Sequence, residues 1–233
     1  VPVDLDTSGR KYDPAAGTAI TPYGASMRPR KAVTITADGY PVFAGVVDDW
    51  DLIYDLGGGH VASVKATDGF VFLANEQIDG HTTTSELSGT RITSILDRSE
   101  IDWPPARRAI GTGIVTLQAD TIEDGQNALE YLKKVDEAEQ GALFMAADGK
   151  LTFRDRSDLQ ILTSTVFADD GSGIPFAAID ASYGSEELRN RIKVTRLNGG
   201  TATAIGTASV TAYGAIDFEL TDTLLNSDGD AQD

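Results

Sequence analysis

Residues 31–67 read KAVTITADGYPVFAGVVDDWDLIYDLGGGHVASVKAT. Polar and apolar residues alternate with period two, the spacing of a strand that shows its two faces to different surroundings. Val33 and Ile35 share one face of the first run. Asp38-Gly39 then gives the strongest short hairpin signal, and YPVFAGVVDD follows as the return strand. After the glycines at 57–59, Val61, Ser63 and Lys65 stand opposite Ala62 and Val64. The stretch is an antiparallel β meander, so the chain opens as a β protein.

Downstream the period changes. Thr67 or Asp68 is placed to cap a helix through GFVFLANEQI, where Phe70, Leu73 and Ala74 have helical spacing. Ser88 is placed to cap a second helix carrying Ile92, Ile95 and Leu96 on one face. Two consecutive prolines make WPPARR, at 103–108, a loop. IVTLQAD, at 114–120, alternates as a strand. Residues 124–140 hold the clearest helix, with an apolar stripe of Ala128, Leu129, Leu132 and Val135 and a stop at Gly141. ALFMAADGKLTFRDR is a hairpin turning at Ala147-Asp148-Gly149. After the loop ADDGSGIP, at 168–175, the pattern returns to strands in ELRNRIKVTR, TATAIGTASVTAYG and AIDFELTD, and LLNSDGDAQD reads as the start of a helix or linker. The expected fold class is α+β, mainly β. A discontinuous β domain formed by 1–68 and 186–233 is interrupted by an inserted α+β domain at 69–185.

Composition narrows the function. A hydrophobic share of 41% over 233 residues supports a real core, and no apolar run approaches the roughly 20 residues of a membrane span. The start VPVDLDTSGR has neither a basic region nor an apolar signal core, and without an initiator Met the chain is expected to be part of a longer one. With no cysteine there is no disulfide, thiol nucleophile or Cys-based zinc site, which fits synthesis in a reducing cytoplasm. Any triad or His-rich metal site must use His60 or His81; both stand in loop contexts, and Gly-x-Ser-x-Gly is absent. The net charge of −17 repels phosphates on average. The short basic runs Arg28/Arg30/Lys31, Arg107/Arg108 and Arg189/Arg191 lack interleaved aromatics and read as solvated faces or ion-pair partners.

The acidic clusters are the remaining candidates for chemistry. In VVDDWD, Asp48 shares a strand face with Trp50, while Asp49 and Asp51 share the other and could jointly hold calcium. The D-x-D pair lacks the glycine and closing glutamate of a calcium loop, and Asp169/Asp170 and Asp228/Asp230 are equally incomplete. A solvated strand end, with Trp50 as a packing anchor, is the stronger reading. Glu137 and Glu139 are expected on the polar side of their helix, and Asp155 alternates with Arg154 and Arg156. Neither arrangement marks the buried acid that glycoside hydrolysis needs. GGG at 57–59 is not followed by Lys-Ser/Thr, so it is no phosphate loop. No catalytic, cofactor-binding or metal-ligating residue is assigned, and no cofactor is expected.

Several stretches taken in order resemble a family. They are LDTSGRKYDP at 5–14, TPYGASMRPRKAVTI at 21–35, FAGVVDDWDLIYD, VKATDGFVFLAN at 64–75, ELSGTRITSILDRSEIDWP, NALEYLKKVDEAEQGALFMAADGKLTFRDR at 127–156, and ASVTAYG at 208–214. Their succession is similar to the minor tail proteins of siphophages, which resemble the baseplate hub at the distal tail tip. The resemblance covers nearly the whole chain and rests on the order of its phrases.

It implies tail-tube-like β-barrel or sandwich domains with α+β material inserted, in a structural, non-enzymatic virion protein. It also implies a homo-oligomer, a trimer being favoured. The partners would be the distal tail, tail tube and tape measure proteins, with DNA passing transiently along an acidic channel during ejection and no membrane embedding. The alternatives are a distal tail ring subunit, or a carbohydrate- or calcium-binding receptor-recognition module. The chain departs from the family in lacking a strand before LDTSGRKYDP and in stopping soon after ASVTAYG, where members continue into wall-binding or fibre domains.

Overall fold

A computed structural model describes residues 29–53, 61–159, 166–180, 184, 186 and 188–230. The phrases at 5–14 and 21–28, the glycines at 57–59, and Arg28 and His60 lie outside them.

The opening meander forms as expected. Strands β1 (Ala32–Ala37), β2 (Tyr40–Ile53) and β3 (Val61–Thr67) make an antiparallel sheet in that order. Asp38 and Gly39 both take positive φ, the requirement of the tight turn whose twist matches the strands it joins. Two irregularities bend the long β2. One skips Val42 between the Ile35–Phe43 and Thr36–Pro41 pairs, and the other skips Asp48 between Val47–Ala66 and Asp49–Lys65. The second lets both Val46 and Val47 be buried next to three aspartates.

The sheet is followed by helix α1 (Phe70–Leu73), a single turn whose first amide, on Phe70, donates to Asp68 Oδ1 at 3.0 Å. The segments at 77–87 and 116–127 then run antiparallel as an irregular ribbon of three two-residue ladders. β4 (Gln77–Ile78) meets β10 (Gln126–Asn127), β5 (His81–Thr82) meets β9 (Thr121–Ile122), and β6 (Glu86–Leu87) meets β8 (Thr116–Leu117). Thus IVTLQAD contributes only Thr116–Leu117 as strand, because the ribbon's pairing is broken by turns. Helix α2 (Ser88–Leu96) and strand β7 (Arg108–Ile110) lie between the ribbon's halves, with a short 3-10 turn at Pro105–Arg107 in the proline loop.

Helix α3 (Ala128–Glu139) starts at the first residue of its apolar stripe, four residues after the expected start at 124, since Asn127 is the cap: its side chain accepts from the Glu130 amide at 3.1 Å. At the other end Gln140, not Gly141, takes the left-handed conformation. Gly141 is required for another reason, because a side chain there would strike the Arg154 carbonyl. The hairpin of β11 (Ala142–Met145) and β12 (Leu151–Arg154) turns at Gly149 with φ +83°, and β7 joins it in parallel. α4 (Arg156–Leu159) is one turn capped by Asp155.

In the last sheet β13 (Arg191–Arg196) is central, antiparallel to β14 (Thr201–Ile205) and parallel to β15 (Asp217–Thr223). The TASVTAY segment, read from sequence as part of a strand, is helix α5 (Thr207–Tyr213), bracketed by Gly206 and Gly214. The β13–β15 pair is parallel because β14 carries the chain back to the end where β13 began, and α5 bridges from there across β13 to the start of β15.

The molecule is α+β, mainly β, and among the described residues no barrel closes: the first and last sheets are separate three-stranded sheets. The core packs α2 and α3 against the ribbon and hairpin through Leu73, Ile92, Ile95, Leu96, Leu132, Val135 and Phe153. Val194, Leu224 and Leu225 extend the same core into the last sheet.

Candidate functional site

Each acidic cluster singled out in the sequence has a local partner. Across the β2–β3 ladder Lys65 faces both aspartates of the D-x-D pair, 2.8 Å from Asp51 and 3.8 Å from Asp49. The hydrogen-bonded Lys65 ammonium holds the Asp51 carboxyl below its ordinary range, and Asp51 in turn raises Lys65. A lysine seated between two carboxylates occupies the place a cation would take. Asp48 is the exposed bulge residue, and Trp50 is half-buried opposite Val64, its indole nitrogen buried without an acceptor among the described residues.

Asp155 accepts from the Ser157 hydroxyl at 2.6 Å and from the Ser157 and Asp158 amides, which together lower its pKa. Asp170 does the same for Ser172, beside Asp169. Asp228 pairs with Arg196 at 2.8 Å, and Asp230 accepts from the Ser227 hydroxyl at 2.7 Å. Among the described residues no three His, Asp or Glu side chains come together as a metal cage. His81 lies in the β5–β9 ladder.

The basic runs are dispersed too. Arg30 lies over the Phe72 ring and Arg107 over Trp103, Arg108 pairs with Asp97 at 2.7 Å, Arg189 donates to the Glu186 and Leu188 carbonyls, and Arg191 forks onto Asp217. The described arginines of these runs serve carboxylates, carbonyls and rings of their own chain.

Two buried polar centres were not visible in the sequence. Glu139, expected on a polar face, is fully buried. Its carboxylate accepts from the Ser88 hydroxyl at 2.5 Å, the Val115 amide at 3.0 Å and the Ile114 amide at 3.3 Å. Ser88 is therefore the first residue of α2 rather than its cap. Gly113 has φ +79° and passes so close to Ser88 Oγ that any side chain would collide with it.

The other centre is Arg91, also fully buried. Its guanidinium donates to Glu86 at 2.5 Å, the Tyr131 hydroxyl at 2.8 Å, and the Thr84 and Gln118 carbonyls. Burial raises the Tyr131 hydroxyl, which also donates to Asp120 at 3.3 Å. Both centres have their hydrogen bonds satisfied, so they bolt the ribbon to α2 and α3 and leave no free group facing a cavity.

What remains open to partners is apolar. A cleft of about 430 Å³ separates the C-terminal end of α3 from the last sheet, lined by Ala138, Leu159, Ile192, Val194, Phe218 and Leu220, with Glu137, Arg156 and Asp230 also on its wall. Ile35, Tyr40, Val42 and Ile53 stand exposed on the first sheet, Tyr40 at 75%. The segment 166–180 exposes Val166, Phe167, Ile174, Phe176 and Ile179 at 41–57% each. Apolar patches and clefts of this kind mark interaction or ligand-binding sites.

No family model and no curated protein sequence matches the chain. Solved structures similar in fold include two tail proteins. The 43 kDa tail protein of prophage MuSo2 from Shewanella oneidensis matches with a TM-score of 0.56 at 14% identity, over 88% of this chain and 59% of that one. A tail protein from Neisseria meningitidis MC58 matches with a TM-score of 0.59 at 12% identity, over 84% of this chain and 59% of that one. The chain thus spans about three fifths of the length of the tail proteins it matches.

Proposed function

We propose that this protein is a structural component of a bacteriophage tail, a subunit of the distal baseplate hub of a long-tailed siphophage. The observation that carries the reading is the likeness in fold to two phage tail proteins over more than four fifths of the chain. Two features of the molecule support it. Its buried ionisable groups are spent on internal bolts, and its exposed apolar side chains form surfaces suited to assembly. In this reading the chain is divided into a β module of 1–68 with 186–233 and an α+β insert of 69–185, the last sheet docking on the insert through Val194, Leu224 and Leu225. Copies assemble as a trimer against the distal tail and tube proteins, around the tape measure. The net charge of −17 lets DNA slide through during ejection, because phosphates are repelled from an acidic wall.

Mass photometry of the purified protein, with gold-labelled antibody on particles of the phage that encodes it, tests the reading. A three-chain mass and label at the tail tip are expected, and a six-chain mass assigns a distal tail ring instead. A strictly monomeric protein absent from virions overturns it.

A further inference from the structure

The last strand serves two sheets. Up to Leu220, β15 runs parallel to β13, with Val194 opposite Leu220. The next pair is Arg196 with Thr223, so across this step β15 has one residue more than β13. Asp222 lies inside the step at φ +57°, a left-handed conformation that few residues other than glycine adopt. An extra residue in that conformation bends a strand out of its ladder, and strands change sheets at such corners.

Beyond the corner the chain takes a new partner. The Gln118 amide donates to the Leu224 carbonyl at 2.8 Å, and the Asn226 amide donates to the Thr116 carbonyl at 3.1 Å. Between them Leu117 and Leu225 are paired antiparallel. Thr116 and Leu117 are β8, which is also paired with β6, so residues 224–226 act as a third strand of the ribbon. The same few residues keep their hold on the last sheet. The Leu197 amide donates to the Thr223 carbonyl at 2.9 Å, and the Thr223 hydroxyl donates to the Thr195 carbonyl at 3.3 Å. The Arg196 guanidinium donates to the Asn226 carbonyl at 2.9 Å and to Asp228 at 2.8 Å. Thr223, Leu224 and Leu225 are at most 6% exposed, and Leu117 is fully buried.

We propose that residues 220–226 are a strap that makes the last sheet and the helical middle one cooperative body, with Asp222 as its corner. Chain order alone, with 69–185 standing between two β segments, would let the last sheet open by itself. The strap removes that freedom. Peeling the sheet away breaks the ladder to Thr116 and Gln118 and bares Leu117, Leu224 and Leu225 together. Regions whose opening breaks the same buried contacts open as one unit. A load or partner acting on the last sheet is therefore felt in the ribbon, with no hinge between. All the bonds of the strap lie within one chain, so it works whatever the oligomeric state.

Hydrogen exchange read by mass spectrometry on the whole chain, across a urea series, follows the two sides separately through peptides covering 114–120 and 191–196. One shared midpoint is expected. Asp222 is exposed, so a substitution there acts mainly through the backbone. Asp222→Val should lower both midpoints together, because a β-branched side chain resists positive φ, while Asp222→Gly, which accepts it freely, should lower neither. Should Asp222→Val fail to fold, Leu225→Ala shortens a buried side chain of the strap and must move both midpoints alike. A last sheet that opens at lower urea than the ribbon overturns the strap, as does a strap variant that shifts only one side or neither. An Asp222→Gly chain as unstable as Asp222→Val overturns the corner, since the side chain and not the backbone conformation would then be at work.

Discussion

The middle of the molecule and its outer sheets use the same residue types in opposite ways. Between Leu73 and Phe153 lie most of the buried apolar side chains, and even an arginine and a glutamate are enclosed with their hydrogen bonds satisfied. In the first sheet the charges pair in water, as Lys65 does with Asp49 and Asp51, while Ile35, Tyr40 and Val42 stay exposed. In strand β1 only Val33 is even half-buried. A region that encloses charges has its packing complete within one chain, since a buried ion without partners is too costly to keep. Among the described residues, a region that leaves its aliphatic side chains in water offers surface for contact.

The largest test of that contrast is Arg91→Ala. Removing a buried guanidinium strands Glu86, the Tyr131 hydroxyl and two carbonyls, and should cost roughly 3–5 kcal/mol in urea unfolding. A loss below about 1 kcal/mol would break the distinction. Next, Leu132→Ala in α3 should cost about 2–5 kcal/mol, whereas Ile35→Ala in the exposed strand should stay within about 0.5 kcal/mol for the isolated chain. If Ile35→Ala instead weakens assembly, the first sheet is identified as a contact surface. Asn127→Ala removes the α3 cap and should cost about 1 kcal/mol by the same measurement.

A pH series sharpens the comparison from another side. Burial pushes the Asp136 carboxyl above its ordinary 3.8, against the opposing pull of the Leu143 amide. In the window just above 3.8 the folded state binds more protons than the unfolded one, so this group costs stability as pH rises through it. Asp136→Asn should therefore raise the urea midpoint at pH 7 and give no gain at pH 3. A gain that is the same at both values would show that ionisation is not its cause. Smallest of all, Lys65→Ala should leave the melting temperature unchanged, because exposed ion pairs contribute little. Adding calcium or a chelator to the unaltered protein should likewise do nothing. A chelator-sensitive melt would return Asp49 and Asp51 to a metal role.

Legibility followed how local each signal was. The Asp38-Gly39 turn and the strands beside it could be read off the chain, since period-two alternation and a turn needing positive φ are properties of neighbours in sequence. The stripe of α3 was equally plain, but its start was not. Residues 121–127 pair with 77–82 in the ribbon, and Asn127 then caps the helix. TASVTAY misled because threonine and valine favour strands, and the span is short enough for glycine-bounded context to override propensity. Glu139 misled for a stronger reason. Nothing adjacent to it in sequence is its partner: Ser88 lies 51 positions away, and the amides of Ile114 and Val115 about half as far.

By itself, then, the sequence determined that the chain is mainly β with a helical middle, that it builds no cysteine chemistry, and that its charge repels phosphates. These follow from composition and from periodicities spanning a few residues. Only the tertiary structure decided which acids are enclosed, that Lys65 sits where a cation would, and where apolar surface is left over. Burial and ion pairing depend on groups brought together from distant parts of the chain, and no local pattern encodes how far two packed elements stop short of closing.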